Sequence, residues 1–463
     1  MRAYLLAFWV AGVGLLAARP ALAAFPTRVL SALEEEEPLP DVHVTVGFER
    51  NDTRAKIVRE WVQRAEGETP TALDVKELKY RESTNTLLLD VRVGIFRDLE
   101  LHIGAPIVLS GSSSIEFEDG VANFSTIWGS NNADNPSIGY RYPLTTVPAE
   151  RNRAGFGDMR FGLGWSPLTD TKDEAYPTLT FRADLIAPTG KVRDPQDQGA
   201  LPGGSGGGVG LGQTIFDLSI GVNKRMRGNT PAFDPYMIFG TQLPVATGAQ
   251  KERGMEPPIS ARFLVGTEVI AYEDSGTDQF YAVDLSFQLK YIGIGRTYSY
   301  LSDYLPNFDQ TKVDRDLPIY SDYGAAANYT GAAAGTTCGL LMGVPCGELN
   351  RVDEHLQMKG TFALHLKPMK FFTLRGGVSV GFTTEHLLTT ERVGTDTDPA
   401  DATDERCPSN SDVDCVGRVN AQNSLGQDER SPYYDPRYDA PGRRLRAEEI
   451  VDLTFFVNAI ATF

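Results

Sequence analysis

Ionisable residues recur two apart through the apolar stretches of this 463-residue chain, and acids alternate with bases. Asp90 and Arg92, Glu100 and His102, Asp158 and Arg160, and Arg182 and Asp184 are such pairs. Asp217, Arg262, Glu268, Asp284, Lys290, Lys359, Arg375 and Asp452 hold equivalent places in later stretches. Residues two apart share one face of an extended chain. The period therefore puts these groups on one face and Leu89, Val91, Phe161, Leu163, Trp165, Phe216, Leu218, Ile220, Val378, Val380 and Phe382 on the other. The charged face holds eight acids (Asp90, Glu100, Asp158, Asp184, Asp217, Glu268, Asp284, Asp452) against seven bases (Arg92, Arg160, Arg182, Arg262, Lys290, Lys359, Arg375), so it is nearly neutral. Charges on an enclosed face must be paired or hydrated. A balanced wall supports two chemistries: a lattice of ion pairs that braces the walls, or a polar passage with little preference for ion sign. Simple register sets Arg160 against Asp184 across a turn at 169–175, and makes Arg92 and Glu100 diagonal neighbours across a turn at 96–98. Asp158, just after Gly157, is placed to accept hydrogen bonds from loop amides at a rim.

Other chemistry-bearing groups fall between these stretches. Cys338 and Cys346, and Cys407 and Cys415, are two pairs with the same spacing. Four cysteines allow three pairings, and short loop closure favours the two local disulfides. The spacing is not that of a zinc site, and nearby histidines are lacking, so no metal is expected. Asp396, Asp398, Asp401, Asp404, Glu405, Asp412 and Asp414 read as a solvated acidic loop; the run lacks the glycine and terminal glutamate of a calcium loop. Gly203–Gly212 is followed by strand periodicity, which excludes a phosphate cradle and leaves a mobile loop able to fold into a mouth. The five histidines, His43, His102, His355, His365 and His386, have no sequence partner that makes a catalytic case. No cofactor is expected.

The elements that would position the charged face are strands. They read as 42–50, 86–96, 99–109, 155–168, 176–187, 211–227, 233–244, 258–273, 278–298, 353–367, 371–387 and 446–463. Long connections at 110–154, 188–209, 245–257, 299–352 and 388–444 alternate with short ones near 96–98, 169–175, 228–233, 274–277 and 367–370, and 51–85 reads as the first outer loop plus extensions of its flanking strands. Short turns at one end and long loops at the other describe a transmembrane antiparallel up-and-down β-barrel. About twelve strands fit, and fourteen if Ala55–Arg64 makes an extra hairpin; that stretch also suits a short helix. Both cysteine pairs fall in long extracellular loops.

The ends agree with this reading. Residues 1–23 have a basic start, an apolar run and Ala21-Leu22-Ala23, the pattern of a cleaved signal peptide. Residues 24–40, with Glu34–Glu37, read as an acidic periplasmic segment, and 41–463 as the barrel. Val451, Leu453, Phe455, Val457, Ala459, Ala461 and Phe463 form a one-sided apolar strand, which closure against Val42–Arg50 would pair. This segment resembles the C-terminal signal of outer-membrane proteins, which ends in an aromatic residue and is read by the barrel-assembly machinery; Phe463 is that residue here. The formal net charge of −17, or −19 without Arg2 and Arg19, argues against a nucleic-acid partner.

Gly155-Phe156-Gly157-Asp158 opening one strand and Pro188-Thr189-Gly190 closing the next, with Gly104-Ala105-Pro106 in similar style, carry a resemblance. They are similar to the outer-membrane family named for the MetA pathway of phenol degradation, putative transporters of aromatic and other organic compounds. The resemblance implies a porin-like transporter in the outer membrane of a Gram-negative bacterium, in contact with lipid and passing small, aromatic or apolar solutes. It makes Asp158 a channel-mouth residue. The residues leave two alternatives: a structural or surface-interaction barrel with disulfide-clipped loops, or an outer-membrane hydrolase.

Overall fold

The computed structural model describes residues 25–30, 41–63, 71–96, 98–121, 125–127, 147, 149–170, 173, 175–226, 231–274, 276–305, 348–392, 394–395, 431, 433–435 and 438–463. Both cysteine pairs and the acidic run from Asp396 to Asp414 lie outside them.

Long alternating runs give long strands: β1 (Val42–Gln63), β2 (Thr71–Phe96), β3 (Leu99–Phe117), β4 (Ala149–Phe156), β5 (Met159–Leu168), β6 (Thr178–Ala187), β7 (Gln213–Asn223) and β8 (Ala232–Ala246). After helix α1 (Gly248–Glu252) come β9 (Ser260–Asp274), β10 (Gln279–Ile292), β11 (Gly295–Thr297), β12 (Asn350–Val352), β13 (His355–Met369), β14 (Phe372–Thr383), β15 (His386–Leu387) and β16 (Leu445–Thr462). Neighbours pair antiparallel in chain order, and β1 pairs β16, with Val44 opposite Ala461 and Phe48 opposite Val457. Phe463 donates to the Val42 carbonyl at 2.9 Å and Val42 returns a bond at 3.2 Å, so the last residue lies on the seam expected for it. β4 and β5 both pair β3 and are one wall strand bent at Gly157-Asp158. Counted so, the barrel has twelve strands and is closed. The chain is a transmembrane β-barrel.

Closure removes the sheet edges, and the outer surface between the two ends is what lipid requires. Exposed side chains there include Val46, Phe48, Leu101, Ile103, Leu163, Leu218, Phe239, Phe287, Phe362 and Val457. Trp165 stacks on Phe181 at 5.8 Å, and Tyr272 on Tyr281 at 5.5 Å, near the short-turn end. Aromatic rings at that level suit the lipid–water boundary.

The twelve-strand expectation holds and the fourteen-strand one does not: from Ala55 to Gln63 the chain continues β1 as a single strand, and Arg64 lies outside the described residues. β1 and β2 stay paired from Val42↔Val93 to Gln63↔Thr71, so the strand extensions expected within 51–85 take up most of that stretch. The reason is an inversion of polarity. Below Phe48 the outward residues of β1 are Val44 and Val46; above it they are Arg50, Asp52, Arg54 and Lys56. The inward residues change in the opposite sense, from Thr45 and Glu49 to Ala55 (4% exposed) and Ile57 (0%). The wall therefore leaves the lipid near Phe48 and continues into water, where the apolar face turns inside.

That upper interior is a packed core. Ile57, Leu78, Tyr80, Ile115 and Leu445 from the wall meet Ile127, Leu301, Tyr304, Leu305, Leu388 and Tyr438. The long-loop end is thus filled by inward-folded loop segments.

Candidate functional site

Contacts between strands that are not neighbours identify the inner face, because only on the concave side do their side chains converge. Glu100 on β3 reaches Arg182 on β6 at 3.1 Å, and His102 on β3 reaches Asp184 on β6 at 3.3 Å. Strand β5 lies between them, and there Gly164 stands opposite both Glu100 and Arg182, and Gly162 opposite both His102 and Asp184. A Cβ on Gly164 would lie 2.8 Å from Glu100 Cγ, so these two glycines are what lets the pairs form over the middle strand.

The pattern continues round the wall. Arg262 on β9 donates two bonds of 2.8 Å to Asp217 on β7, whose carboxylate also accepts from Gln242 at 2.9 Å. Lys290 on β10 donates to Gln242 at 3.1 Å. His365 on β13 meets Glu268 on β9 at 2.7 Å. Arg375 on β14 donates to Asp284 on β10 at 2.7 Å, and Tyr236 adds a bond of 2.7 Å to the same carboxylate. Lys359 reaches Thr454 at 3.2 Å, and Thr53 donates to Asp452 at 2.5 Å. Arg92 pairs with Asp90 on its own strand at 3.1 Å.

One expected facing pair comes out differently. Arg160 stands opposite Ile186 and only its guanidinium tip approaches Asp184, at 3.9 Å, because Gly162 occupies the directly facing position and His102 takes the nearer oxygen. Arg92 and Glu100 are the diagonal neighbours expected, with Gly94 opposite Glu100 and Arg92 opposite His102; Glu100 takes its ion pair from Arg182, past Gly164. Asp158 does accept loop amides at the rim: Gly190 donates to it at 3.0 Å and Leu211 at 2.6 Å. Those bonds, with Gly210 to the Lys191 carbonyl at 2.8 Å, pin the glycine-rich loop rather than leave it free.

Chain segments cross this lumen at both ends. At the short-turn end, Thr27 Oγ1 donates to Asn223 on β7 at 2.9 Å, Thr180 on β6 donates to the Thr27 carbonyl at 2.7 Å, and Leu30 N donates to Glu100 on β3 at 2.8 Å. Arg28 and Leu30 also border a cavity of roughly 20 Å³ with His43, Arg92, His365, Thr373 and Ile460, from β1, β2, β13, β14 and β16. Residues 25–30 therefore touch wall on both sides of the bore. The expectation of a periplasmic segment over 24–40 did not include these contacts; residues 31–40 lie outside the described ones.

At the long-loop end the crossing segment is 298–305. Asp303 (3% exposed) pairs with Arg153 of β4 at 2.6 Å and with Arg193 at 3.0 Å, and its carbonyl accepts from Arg151 at 2.9 Å. Arg151 lies over the Tyr304 ring at 5.4 Å and Arg193 over Tyr298 at 4.5 Å. Tyr304 hydroxyl is 2.9 Å from Ser113 Oγ, and Tyr300 packs on Tyr80 at 4.8 Å. Sequence reasoning missed this cluster, having treated 110–154 and 299–352 as loops. The signal was there: Arg151 and Arg153 stand two apart, with the period of the wall residues, directly before Gly155.

The partners of two histidines are main-chain groups and each other. His386 stacks on His355 at 4.0 Å, and each Nδ1 faces a main-chain carbonyl. Among the described residues neither His102 nor His386 has a hydroxyl or thiol hydrogen-bond partner.

No family model and no curated protein matches the chain, so the resemblance to the phenol-degradation family stays at the coarser level of a membrane barrel. Among solved structures it is similar to an outer membrane channel from Pseudomonas putida F1, with 9% identity over 90% of this chain and 96% of that one and a TM-score of 0.36. A FadL homologue from Pseudomonas aeruginosa aligns with 9% identity over 91% and 90% and a TM-score of 0.30. The outer membrane protease OmpT from Escherichia coli aligns with 8% identity over 92% and 96% and a TM-score of 0.26. Likeness at this level is common to antiparallel barrels of differing size and activity.

Proposed function

We propose that the protein is an outer-membrane channel for small solutes, held closed by its own segments 25–30 and 298–305. The short-turn end faces the periplasm and the long-loop end the exterior. The observation that carries the reading is an inner wall of acid–base pairs bounded by two crossing segments of six and eight residues. Eight strands make a barrel that side chains can fill, and sixteen or more leave a wide aqueous pore. Twelve strands stand between these limits, and on this wall the ionisable groups meet one another in pairs across the bore. Shifting either segment lengthens the water path without breaking the wall. Supported in this way, the solutes are small; their aromatic or apolar character rests on the resemblance described above.

Reconstitution into planar bilayers with a solute panel tests it. Wild type is expected to conduct in small or rare steps, and a chain lacking 25–30 to conduct more and for longer. A correctly folded deletion variant that passes neither ions nor any solute would refute the channel.

The packed outer core favours a second reading, a surface-interaction barrel whose loops are an ordered platform. Removing 396–430 would then abolish adhesion or partner binding and leave permeability as it was.

A further inference from the structure

We propose that Arg151, Arg153 and Arg193 form a recognition site for an aromatic carboxylate, and that Asp303 and Tyr304 of the chain itself occupy it in this structure. The inference deepens the channel reading by naming a solute class, and rests on it.

The arginines belong to the fixed part of the molecule. Arg151 and Arg153 are inward residues of wall strand β4, 9% and 8% exposed. Arg193 sits in the loop after β6, tied by its own N–H to the Gly210 carbonyl at 2.7 Å. The occupant belongs to a connection: 298–305 follows β11 and is not part of the barrel wall.

Arg153 and Arg193 hold the Asp303 carboxylate and Arg151 its main-chain carbonyl. Glu82, a nearby wall acid that accepts from the Tyr80 hydroxyl at 2.8 Å, also acts on Arg193, so three guanidinium groups stand against two carboxylates. Donor capacity also exceeds what the chain supplies. Arg153 Nε and Arg193 Nε are buried without a hydrogen-bond partner, as is the Tyr298 hydroxyl. Arg151 offers its Nη2 only to the main-chain carbonyl of Asp303, and its Nη1 to that of Glu150 at 3.0 Å. Leaving donors unmet in a buried place is costly, and guanidinium forks fit carboxylates by charge and by shape.

Beside the charges lies a receptacle for a ring. Tyr304 fills it, under Arg151 and with its hydroxyl on Ser113; Tyr80 and Ile115 of the wall are the neighbouring surface. A carboxylate and an aromatic ring on adjacent residues are thus held by wall groups that would hold the same two features on one small molecule. Such a solute would replace the internal occupant as 298–305 withdraws, and its binding energy would offset the lost contacts.

The test uses the full chain, refolded in detergent, titrated calorimetrically with benzoate, with benzyl alcohol as the uncharged ring and with acetate as the ringless acid. Asp303→Asn removes the internal competitor's charge. Benzoate affinity should rise about tenfold, because the competent state is no longer rare, while benzyl alcohol and acetate stay weak. Arg193→Gln in the wild-type background should lower benzoate affinity by about tenfold and leave benzyl alcohol unchanged, which keeps the test available if Asp303→Asn misfolds. Unchanged benzoate affinity in a variant that keeps heat-modifiable migration overturns the proposal, as does an equal gain for all three probes. Bilayer recording separates the two readings: a conducting barrel indifferent to benzoate refutes the carboxylate site alone, and a non-conducting barrel that binds benzoate refutes the channel alone.

Discussion

Replacing Arg262 by Met separates bracing from selectivity along the inner wall. Asp217 is 3% exposed and takes two bonds of 2.8 Å from Arg262 and one of 2.9 Å from Gln242. Without Arg262, a buried carboxylate keeps one neutral donor. Removing one partner of a buried pair costs roughly 3–5 kcal/mol. The Arg262 side chain is 25% exposed, so water screens part of the interaction, and about 3 kcal/mol is expected. Asp217→Leu combined with Arg262→Met leaves no stranded charge and should fall within about 1 kcal/mol of wild type, because an apolar pair of similar size often replaces an ion pair without loss. Urea unfolding in lipid vesicles, followed by tryptophan fluorescence, gives both values and their coupling. An Arg262→Met cost below about 1 kcal/mol, or a double variant as unstable as the single, would refute bracing at this pair. A change in ion preference without a change in stability would assign the pair to the passage instead.

Two further outcomes follow from the geometry. Gly164→Val puts a Cβ 2.8 Å from Glu100 Cγ, where Glu100 is fully buried and held by Arg182 and by Leu30 N; about 1–3 kcal/mol of stability should go, and protease should cut 25–40 faster, as read on gels. In the outer cap, burial pushes the Asp439 carboxyl well above its ordinary value, against the main-chain N–H bonds from Asp435 and Glu391 that favour the carboxylate; the charges of those two residues add to the rise. A raised acid is an ionisation that the fold resists, so amide protection across 438–445 should be greatest near the ordinary carboxylate value and decline as pH rises above it; Asp439→Asn should flatten that decline, and a profile identical in both would sink the assignment.

Particular residues show how far the sequence reaches. The lipid face was legible because period two is set by the strand itself, so Leu163 and Trp165 had to lie opposite Arg160 and Gly164 whatever the fold around them. The short turns were legible because Lys367-Pro368-Met369-Lys370 and Phe96-Arg97-Asp98 interrupt that period, although the first proves to lie later, after Met369. The extensions of β1 and β2 were legible but not their extent, nor the upper part of β3, because beyond the lipid the same period carries Arg50 and Arg54 outward and Ile57 inward, a pattern that a search for a lipid face discards. Pairing partners were also out of reach. His102 takes Asp184 and Glu100 takes Arg182 only because two glycines of the intervening strand leave room, and that depends on register across three strands.

The sequence by itself determined that this chain closes into a membrane barrel of about twelve strands, with a polar wall inside and long loops at one end. Alternation and turn residues are local properties, and closure follows once one face needs lipid and the edges need partners. Only the tertiary structure decided what stands in the bore. Residues 25–30 reach Glu100, and Asp303 reaches Arg153, across separations of 70 and 150 residues. Contacts of that range arise from curvature and register, which no local pattern encodes.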